Sequence, residues 1–375
     1  MIRLLSTLFI LTFLLNCQFN STKEQPIIES KQSTLKYAKN LKIITYDDYQ
    51  QVIIKNPVNQ LENIYYLVDA NKAIPKNLVH EKVIRTPLHK IVVTSTTHIA
   101  MLELLGVEES LIGFPQTYFV SSEKTRKRID SGLVKELGNV QQLNTEILLT
   151  NKPDLIISFE INGANKAMQD LDKKGFNILV NTDWMEETPL GRFEWIQLYG
   201  VLFHQQKKAD SLFNSIEKNY LDAVKIAQKA TKKPRILSGI VFNDVWNLPA
   251  GKSLEAQLLK DANTHYFWKD TEGTGSLSLS IEVVFDQAKE ADIWVAPGIY
   301  NSIDALAQSN NLYPYFNPIQ QKKVYSYAHL RGKTGGYLYF ETAPTRPDLV
   351  LKDLIKIAHP ELMRHYDFTF YQLLE

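Results

Sequence analysis

Aromatic side chains that follow predicted strands are the feature of this sequence best suited to ligand chemistry. The chain contains 18 Tyr, 17 Phe and 5 Trp residues. Several of them converge on loops that also hold a histidine and an arginine, which favours a cleft for a bulky, partly anionic ligand. The alternative is that these aromatic residues pack beneath their loops. The predicted ligand-binding residues are His98, Tyr118, Trp184, Trp246, Arg331 and Tyr337, with Tyr339 in the same loop as Tyr337.

Arg331 is the residue in this set best suited to contact an anion. It stands next to Gly332 and close to Gly335 and Gly336, and glycine lets the backbone approach a ligand closely. Arg192, in the phrase Pro189-Leu190-Gly191-Arg192, is equally consistent with a structural ion pair.

The sequence contains few signs of a catalytic or metal-binding motif. The eight histidines are scattered and form no HExxH pair, and no GxSxG phrase is present. Gly251-Lys252-Ser253 looks like the end of a P-loop, but Trp246 occupies the position of the required first glycine. We therefore predict a protein that is not an enzyme and has no cofactor. A bare-metal site assembled from His98, His329 and a carboxylate remains an alternative.

The element that must position these loops is a long helix predicted over Gln205–Ala230. Its apolar residues recur at spacings of three and four, and no Gly or Pro interrupts it. Similar phrases stand on its two sides, LNTEILLTNKPDLIISF from Leu143 and LSIEVVFDQAKEADIWVAPG from Leu279. Each phrase has a Glu (Glu146, Glu282) followed by an Asp that opens an apolar strand. This repetition predicts two similar lobes joined by one helix.

Strands and helices alternate on both sides of the helix, which predicts mostly parallel sheets. The fold class is therefore α/β, with two lobes joined by one long helix and a ligand cleft between them, lined by loops at the carboxyl ends of strands. The predicted segments are a lipoprotein signal peptide (1–17), a flexible tether (18–40), an N-terminal β extension (41–89) with antiparallel strands at 42–44, 52–54 and 64–68, an N-terminal lobe (90–204), the linking helix (205–231) and a C-terminal lobe (232–375).

The first residues of the chain predict export and membrane attachment. A short basic start precedes the apolar run Leu4–Leu15, and the only cysteine, Cys17, follows directly. Leu14-Leu15-Asn16-Cys17 resembles a bacterial lipobox, in which the cysteine is lipidated; the alternative is an ordinary signal peptide with an incidental cysteine. We expect a periplasmic lipoprotein held to a membrane through Cys17. A net charge of +1 offers no basic surface for nucleic acid.

Together these stretches resemble the substrate-binding proteins of bacterial ABC importers for iron complexes and cobalamin. The resemblance covers Ile91 to Glu375 and is carried by VVTSTTHIAMLELLG, ELGNVQQLNTEILLTNKPDLIIS, PLGRFEWIQLYG, the Glu282 phrase and RPDLVLKDLIKIAHPEL. It implies two lobes on one rigid helix that close modestly on a ligand. It also implies that Glu146 and Glu282, one on each lobe, dock onto arginines of the permease.

The function expected from the sequence is a monomeric periplasmic receptor that captures an iron complex (a siderophore or haem) and delivers it to an ABC permease. The alternatives are a cobalamin receptor of the same class, a bare zinc or manganese receptor, and an extracytoplasmic enzyme that uses the same cleft.

Overall fold

A computed structural model describes residues 31–32, 35–159 and 166–375. The predicted signal peptide, Cys17 and most of the predicted tether lie outside these residues, and so does the predicted cleft loop that begins at Glu160. Across the described residues, no helix combines the length and the apolar composition needed to cross a bilayer.

The first element is a five-stranded sheet whose strands follow one another in chain order. Its strands are β1 (Lys31–Gln32), β2 (Leu41–Thr45), β3 (Gln50–Lys55), β4 (Glu62–Asp69) and β5 (Val83–Thr86). The pairs up to β3–β4 are antiparallel, but β4 and β5 are parallel. The three runs that the sequence predicts as antiparallel strands are β2, β3 and β4, and the structure pairs them in that way. The further strand β5 is parallel to β4, because the chain from 70 to 82 crosses over before it returns to the sheet.

The alternation of apolar residues in β2 and β3 explains where this sheet packs. Leu41, Ile43, Val52 and Ile54 are buried in the same core as the strands and helices of the N-terminal lobe. The carboxylate of Glu194 accepts the backbone N–H groups of Lys36, Tyr37 and Ala38 at 2.7 to 2.8 Å. The sheet is therefore packed as part of that lobe.

The N-terminal lobe is built on a five-stranded parallel sheet in the order β12-β11-β6-β7-β8, with β9 and β10 as a separate antiparallel pair. Its strands are β6 (Ile91–Val93), β7 (Leu111–Phe114), β8 (Lys135–Glu136), β9 (Gly138–Asn139), β10 (Gln142–Leu143), β11 (Leu155–Phe159) and β12 (Ile178–Asn181). Its helices are α1 (Thr96–Leu105), α2 (Glu123–Asp130), α3 (Thr145–Asn151), α4 (Lys166–Lys173), α5 (Pro189–Glu194) and α6 (Ile196–Leu202). The strand order changes direction between β6 and β11.

The long helix α7 (Gln206–Ala227) joins this lobe to the rest of the chain. The first half of its apolar stripe, Ala209, Phe213 and Ile216, lies in the N-terminal core. The second half, Tyr220, Ala223 and Ala227, lies in the core of the C-terminal lobe. One amphipathic helix therefore contributes to two hydrophobic cores, which holds the two lobes at a set separation.

The C-terminal lobe has a second five-stranded sheet in the order β16-β13-β18-β19-β20 and a smaller antiparallel sheet, β14-β15-β17. Its strands are β13 (Arg235–Ser238), β14 (Ile240–Phe242), β15 (Val245–Pro249), β16 (His265–Tyr266), β17 (Ser276–Leu279), β18 (Ile293–Val295), β19 (Val324–Ser326) and β20 (Gln372–Leu373). Its helices are α8 (Leu254–Asp261), α9 (Ile281–Ala288), α10 (Ile303–Gln308), α11 (Asn317–Gln320), α12 (Leu338–Thr342) and α13 (Pro347–Ala358). All pairs in the larger sheet are parallel except β19–β20.

The repeated phrase occupies equivalent places in the two lobes. In each case a helix, α3 or α9, leads to the strand that pairs with the first strand of its lobe. Asp154 Oδ2 accepts the backbone N–H of Lys90 at 2.8 Å, and Asp292 Oδ2 accepts that of Arg235 at 2.7 Å. The aspartates thus tie the starts of neighbouring strands together in the same way in both lobes.

Candidate ligand-binding cleft

The two large sheets place their strand ends at a common opening between the lobes. In open α/β sheets, ligands bind at the carboxyl ends of strands where the strand order reverses. In the N-terminal lobe this point lies between β6 and β11, and the residues there are Ser95–Thr97 and Phe159. In the C-terminal lobe it lies between β13 and β18, where the residues are Ser238–Gly239 and Ala296–Gly298. Side chains or backbone from all four places line two adjoining cavities.

The first cavity has a volume of about 430 Å³ and is walled by both lobes. Ser95 caps α1, with its Oγ accepting the N–H of Thr97, and so fixes the N-terminal end of this helix at the cavity wall. Phe159 and Arg192 lie on the same side. The C-terminal lobe contributes Leu254, Glu255, Leu258, Tyr339 and Phe340. The lining is therefore largely apolar, with a few polar groups that could orient a ligand.

The second cavity, of about 470 Å³, shares Leu254 and Glu255 with the first. Trp184 contributes to it from the N-terminal lobe. Gly239 has a φ of +79°, and a Cβ atom there would lie 2.0 Å from the carbonyl oxygen of Asn247. Only glycine therefore lets β13 turn directly into the β14–β15 hairpin at this edge of the cleft.

A buried polar cluster lies behind the N-terminal wall. Arg192 Nε donates to Asp183 Oδ2 at 3.3 Å, and Asp183 is 2% exposed. His98 is 1% exposed and Ser158 is fully buried. Both ring nitrogens of His98, the Ser158 hydroxyl and Asp183 Oδ1 have no hydrogen-bond partner among the described residues. Burial lowers the pKa of His98 to about 4, with Arg192 adding to this effect and Asp183 opposing it. His98 is therefore neutral near pH 7.

Glu255 is the acidic group of the cleft. It is the second residue of α8, after the capping residue Ser253, and its Oε1 accepts the hydroxyl of Ser238. Burial raises the pKa of its carboxyl group, and the Ser238 hydrogen bond opposes that rise. Beside it, Tyr327 and Tyr339 stack with their ring centroids 4.1 Å apart. Each of the two rings lines one of the two cavities, so this pair and Glu255 span both.

Among the residues predicted to bind ligand, Trp184 lines the cleft, but His98 and Trp246 do not. The prediction for Trp246 is wrong because this residue lies in a strand, not a loop. It is 0% exposed, donates from Nε1 to the carbonyl of Ser238 at 3.0 Å and stacks on Trp294. The prediction for His98 is wrong because it is the third residue of α1 and faces the lobe interior.

Tyr118, Arg331 and Tyr337 lie in a direct contact between the lobes, outside the lining of either cavity. The Arg331 guanidinium stacks on the Tyr337 ring at 4.5 Å, and its Nε donates to the carbonyl of Ala328 at 3.2 Å. Thr334 donates its hydroxyl to the backbone carbonyl of Tyr118 at 2.6 Å. The glycines of this loop serve lobe packing: a Cβ at Gly332 would lie 2.5 Å from the Cα of Ser121.

Glu341 completes this contact between the lobes. Its two carboxylate oxygens accept the backbone N–H groups of Ser121 at 2.7 Å and Ser122 at 3.0 Å. Glu341 is 1% exposed, and burial raises its pKa to about 7; the two N–H donors oppose that rise and the nearby Glu103 adds to it. A side chain of α12 therefore holds the N-terminal end of α2 from across the lobe boundary.

The two residues expected to contact a permease are in matching positions. Glu146 is the second residue of α3 after the capping residue Asn144, and Glu282 is the second residue of α9 after the capping residue Ser280. Both side chains are exposed. Carboxylates in the first turn are favoured by the helix dipole, so their position alone has a structural explanation as well.

Sequence reasoning did not select several lining residues, among them Phe159, Glu255 and Phe340. Phe159 could have been found, because it is the last residue of the apolar run that follows Asp154 in the repeated phrase. Arg192 forms the ion pair that the sequence allows, with Asp183, and it also lines the first cavity. Within the part of the chain that the structure describes, no three His, Cys, Asp or Glu side chains are placed to hold a metal ion.

Two α/β lobes, one connecting helix and a cleft at both reversal points define a bilobed solute-binding protein. The chain belongs to the periplasmic binding protein family, whose model matches residues 91–328. This is a family of binding proteins and not of enzymes.

Individual proteins resemble this chain in sequence or in fold. An uncharacterized lipoprotein of Methanocaldococcus jannaschii is 26% identical over 369 residues, covering 92% of this chain and 86% of the relative. The fold is similar to that of Helicobacter pylori CeuE, solved with a nickel–histidine complex, with a TM-score of 0.60, 17% identity and coverage of 85% and 91% of the two chains. It is also similar to a protein of the ABC-type Fe³⁺-hydroxamate transport system of Saccharomonospora viridis, with a TM-score of 0.53, 16% identity and coverage of 72% and 93%.

Proposed function

We propose that this protein is the extracytoplasmic receptor of an ABC importer for an iron complex, anchored to a membrane through lipidated Cys17. The observation that carries the proposal is the pair of adjoining cavities between the lobes, lined from the reversal points of both sheets. Their combined size and aromatic walls suit an organic chelate better than a single ion. Two proteins of similar fold support a metal complex as the ligand: the Helicobacter protein was solved with nickel–histidine, and the Saccharomonospora protein belongs to an Fe³⁺-hydroxamate transport system.

Binding in this cleft would use the apolar side chains for contact area and Arg192 for orientation. The Arg192 Nε is held by Asp183, so the guanidinium is fixed in direction before a ligand arrives. Phe159, Trp184 and the Tyr327–Tyr339 pair would pack against the organic part of the chelate. Ligand contact with both lobes would favour the closed arrangement.

Calorimetric titration tests the ligand class. The purified full-length protein would be titrated in detergent with a ferric trihydroxamate, a ferric tris-catecholate, haemin, hydroxocobalamin, Zn²⁺ and Mn²⁺. We expect at least one iron chelate to bind with a Kd of about 1 μM or below. Tight binding of hydroxocobalamin alone, or of a bare metal ion alone, would replace the iron-complex proposal, and failure of all six probes to bind would remove it.

Delivery is proposed to occur through Glu146 and Glu282, which would contact a permease with one carboxylate from each lobe. Two separated charges at equivalent positions suit a two-fold partner and would set the orientation of docking. Reversing both, in Glu146→Lys/Glu282→Lys, should reduce uptake of a radiolabelled iron chelate in cells by tenfold or more. The ligand Kd should stay within about twofold, because both residues lie outside the cleft.

The matched control for this experiment is Glu123→Lys/Asp304→Lys. Both residues are exposed and lie in the first turn of a helix, one in each lobe. The control makes the same change in net charge at sites without a proposed partner, so uptake should remain near the wild-type level. Equal uptake by both double variants would refute the docking proposal.

A further inference from the structure

The charged groups of the cleft are few. Of the described residues that line the two cavities, only Arg192 and Glu255 belong to the basic or acidic types Lys, Arg, His, Asp and Glu. One comes from each lobe, and no hydrogen bond or ion pair joins them. The preference of the cleft for positive or negative ligands therefore depends on whether each of these two side chains has a counter-charge nearby.

Arg192 is compensated by the protein itself. Its partner Asp183 is almost fully buried, and Arg192 Nε lies 3.3 Å from Asp183 Oδ2. The positive and negative charges of this pair largely cancel when seen from the cavity. The guanidinium can still donate hydrogen bonds to a ligand, but the N-terminal wall adds little net positive potential for a highly charged anion.

Glu255 has no such partner. No Lys, Arg or His among the described residues forms an ion pair with it, and its one hydrogen bond within the described residues is donated by the Ser238 hydroxyl to Oε1. Its Oε2 remains available to the cleft, since the residue lines both cavities. Its position in the first turn of α8 favours the ionised form, while burial opposes it.

The lysines nearest to this helix lie on a different surface. Lys233, Lys252, Lys260 and Lys269 line a cavity of about 480 Å³ against Ala256 and Gln257, whereas Leu254, Glu255 and Leu258 line the ligand cleft. Lys252 pairs with Glu272, and Lys269 pairs with Asp270 at 2.5 Å. These lysines therefore do not offset Glu255 inside the cleft.

We infer that this cleft selects iron chelates without net negative charge, and that Glu255 is the residue that sets this selectivity. The inference rests on the proposed function and narrows its substrate class. A trianionic tris-catecholate would bring its charge against an uncompensated carboxylate in a partly dehydrated site. A neutral or cationic trihydroxamate meets no such repulsion, and its amide groups can pair with Glu255 and Arg192.

The test compares two chelates on three full-length proteins by calorimetric titration at pH 7.5. The chelates are a cationic ferric trihydroxamate and a trianionic ferric tris-catecholate, and the proteins are wild type, Glu255→Gln and Asp304→Asn. Asp304 is the matched control because it is also the second residue of a helix capped by serine, but it is exposed and outside the cleft. Circular dichroism verifies that each variant is folded.

Wild type should bind the trihydroxamate roughly a hundredfold more tightly than the tris-catecholate. Glu255→Gln should reduce that ratio about tenfold or more, while Asp304→Asn should leave it unchanged. A wild-type preference for the tris-catecholate, or an unchanged ratio in Glu255→Gln, would overturn the inference and leave the proposed function standing. If neither these chelates nor the other probes bind, the proposed function itself fails, and the inference falls with it.

Discussion

The two lobes present opposite kinds of surface to the cleft, although each reaches it at the reversal point of a sheet. The N-terminal edge has a charge pair, Arg192 and Asp183, backed by the buried His98. The C-terminal edge has the carboxylate of Glu255 beside the stacked rings of Tyr327 and Tyr339. Arg192 therefore has a counter-charge within the protein, whereas Glu255 has none among the described residues.

The strand orders of the two sheets differ as well. The N-terminal sheet runs β12-β11-β6-β7-β8, whereas the C-terminal sheet runs β16-β13-β18-β19-β20 with one antiparallel edge strand. The cleft nevertheless lies at the reversal point of each. The position of a binding site thus follows from sheet topology. Its selectivity depends on which side chains lie there and on whether their charges are neutralised by neighbouring residues.

The largest effect on stability is expected from removing Asp183, the buried partner of Arg192 at the N-terminal edge of the cleft. Asp183→Ala would leave Arg192 without its buried partner and should lower the free energy of unfolding by about 3 kcal/mol, measured by urea denaturation. Asp222→Ala removes a carboxylate that pairs on the surface with Lys218 and Lys225. That control should leave the free energy of unfolding nearly unchanged, because solvent screens an exposed ion pair. Equal losses in the two variants would mean that the Arg192–Asp183 pair is no more than a surface ion pair.

A second difference should appear in acid, through His98. Its pKa is lowered to about 4 in the folded protein, from an ordinary value of 6.5. The unfolded chain therefore takes up this proton first, and the free energy of unfolding should fall by up to about 3 kcal/mol as the pH drops from 6.5 to 4. The difference between wild type and His98→Gln, followed by urea denaturation across this range, isolates that slope. Parallel pH profiles would show that His98 becomes charged without cost.

Glu341, at the contact between the lobes, should act in the opposite direction. Its pKa is raised to about 7 from an ordinary value of 4.5, so the folded protein holds this proton where the unfolded chain has lost it. The free energy of unfolding should therefore fall as the pH rises from 4.5 through 7, by up to about 3 kcal/mol. Glu341→Gln lacks this contribution. The free energies of unfolding of wild type and variant, measured by urea denaturation, should therefore be closer to each other at low pH than at pH 8. A difference in unfolding free energy that stays the same at every pH would contradict a raised pKa for Glu341.

The smallest effects distinguish the buried Trp246 from Trp184 in the cleft wall. Trp246→Phe removes a buried indole and its hydrogen bond to Ser238, and should cost about 2 kcal/mol of stability. Trp184→Phe, in the cleft wall, should cost less than about 0.5 kcal/mol but weaken chelate binding several-fold. Thermal denaturation and calorimetry on both variants would test this. A Trp246→Phe protein that keeps its stability but no longer binds the chelate would instead place Trp246 in the ligand cleft.

The elements that sequence reasoning predicted well are those with long periodic patterns. The stripe from Ala209 to Ala227 predicted α7 to within three residues at its end, because one face of a long helix must be apolar to pack on two cores. The apolar runs that follow Asp154 and Asp292 in the repeated phrase were also predicted as strands, and the structure has β11 and β18 there. Their order in the sheets was not predicted, because pairing depends on contacts distant in sequence.

The β14–β15 hairpin was missed even though a local signal was present. Asn243 and Asp244 have φ values of 50° and 62°, so both central residues of this two-residue turn are in the left-handed region. Asn-Asp between two apolar pairs is typical of such turns. Treating this stretch as a loop placed Trp246 in the cleft, whereas strand alternation turns it into the core.

The site was predicted less well than the fold because burial decides which side of a loop a residue faces. Trp184 and Tyr339 line the cleft, but Arg331 stacks on Tyr337 where the lobes meet. Neither spacing nor residue type distinguishes these outcomes. Glu255 was overlooked since a single glutamate early in a helix is common, and its significance arises only from the missing counter-charge.

Hydrogen–deuterium exchange with and without a bound ferric trihydroxamate tests the placement of the ligand most directly. We predict slower exchange in 95–98, 238–240, 254–258 and 338–344, because these segments line the cavities from both lobes. The five-stranded sheet from 31 to 86 should be unchanged. Protection confined to that sheet, or to one lobe alone, would contradict binding between the lobes.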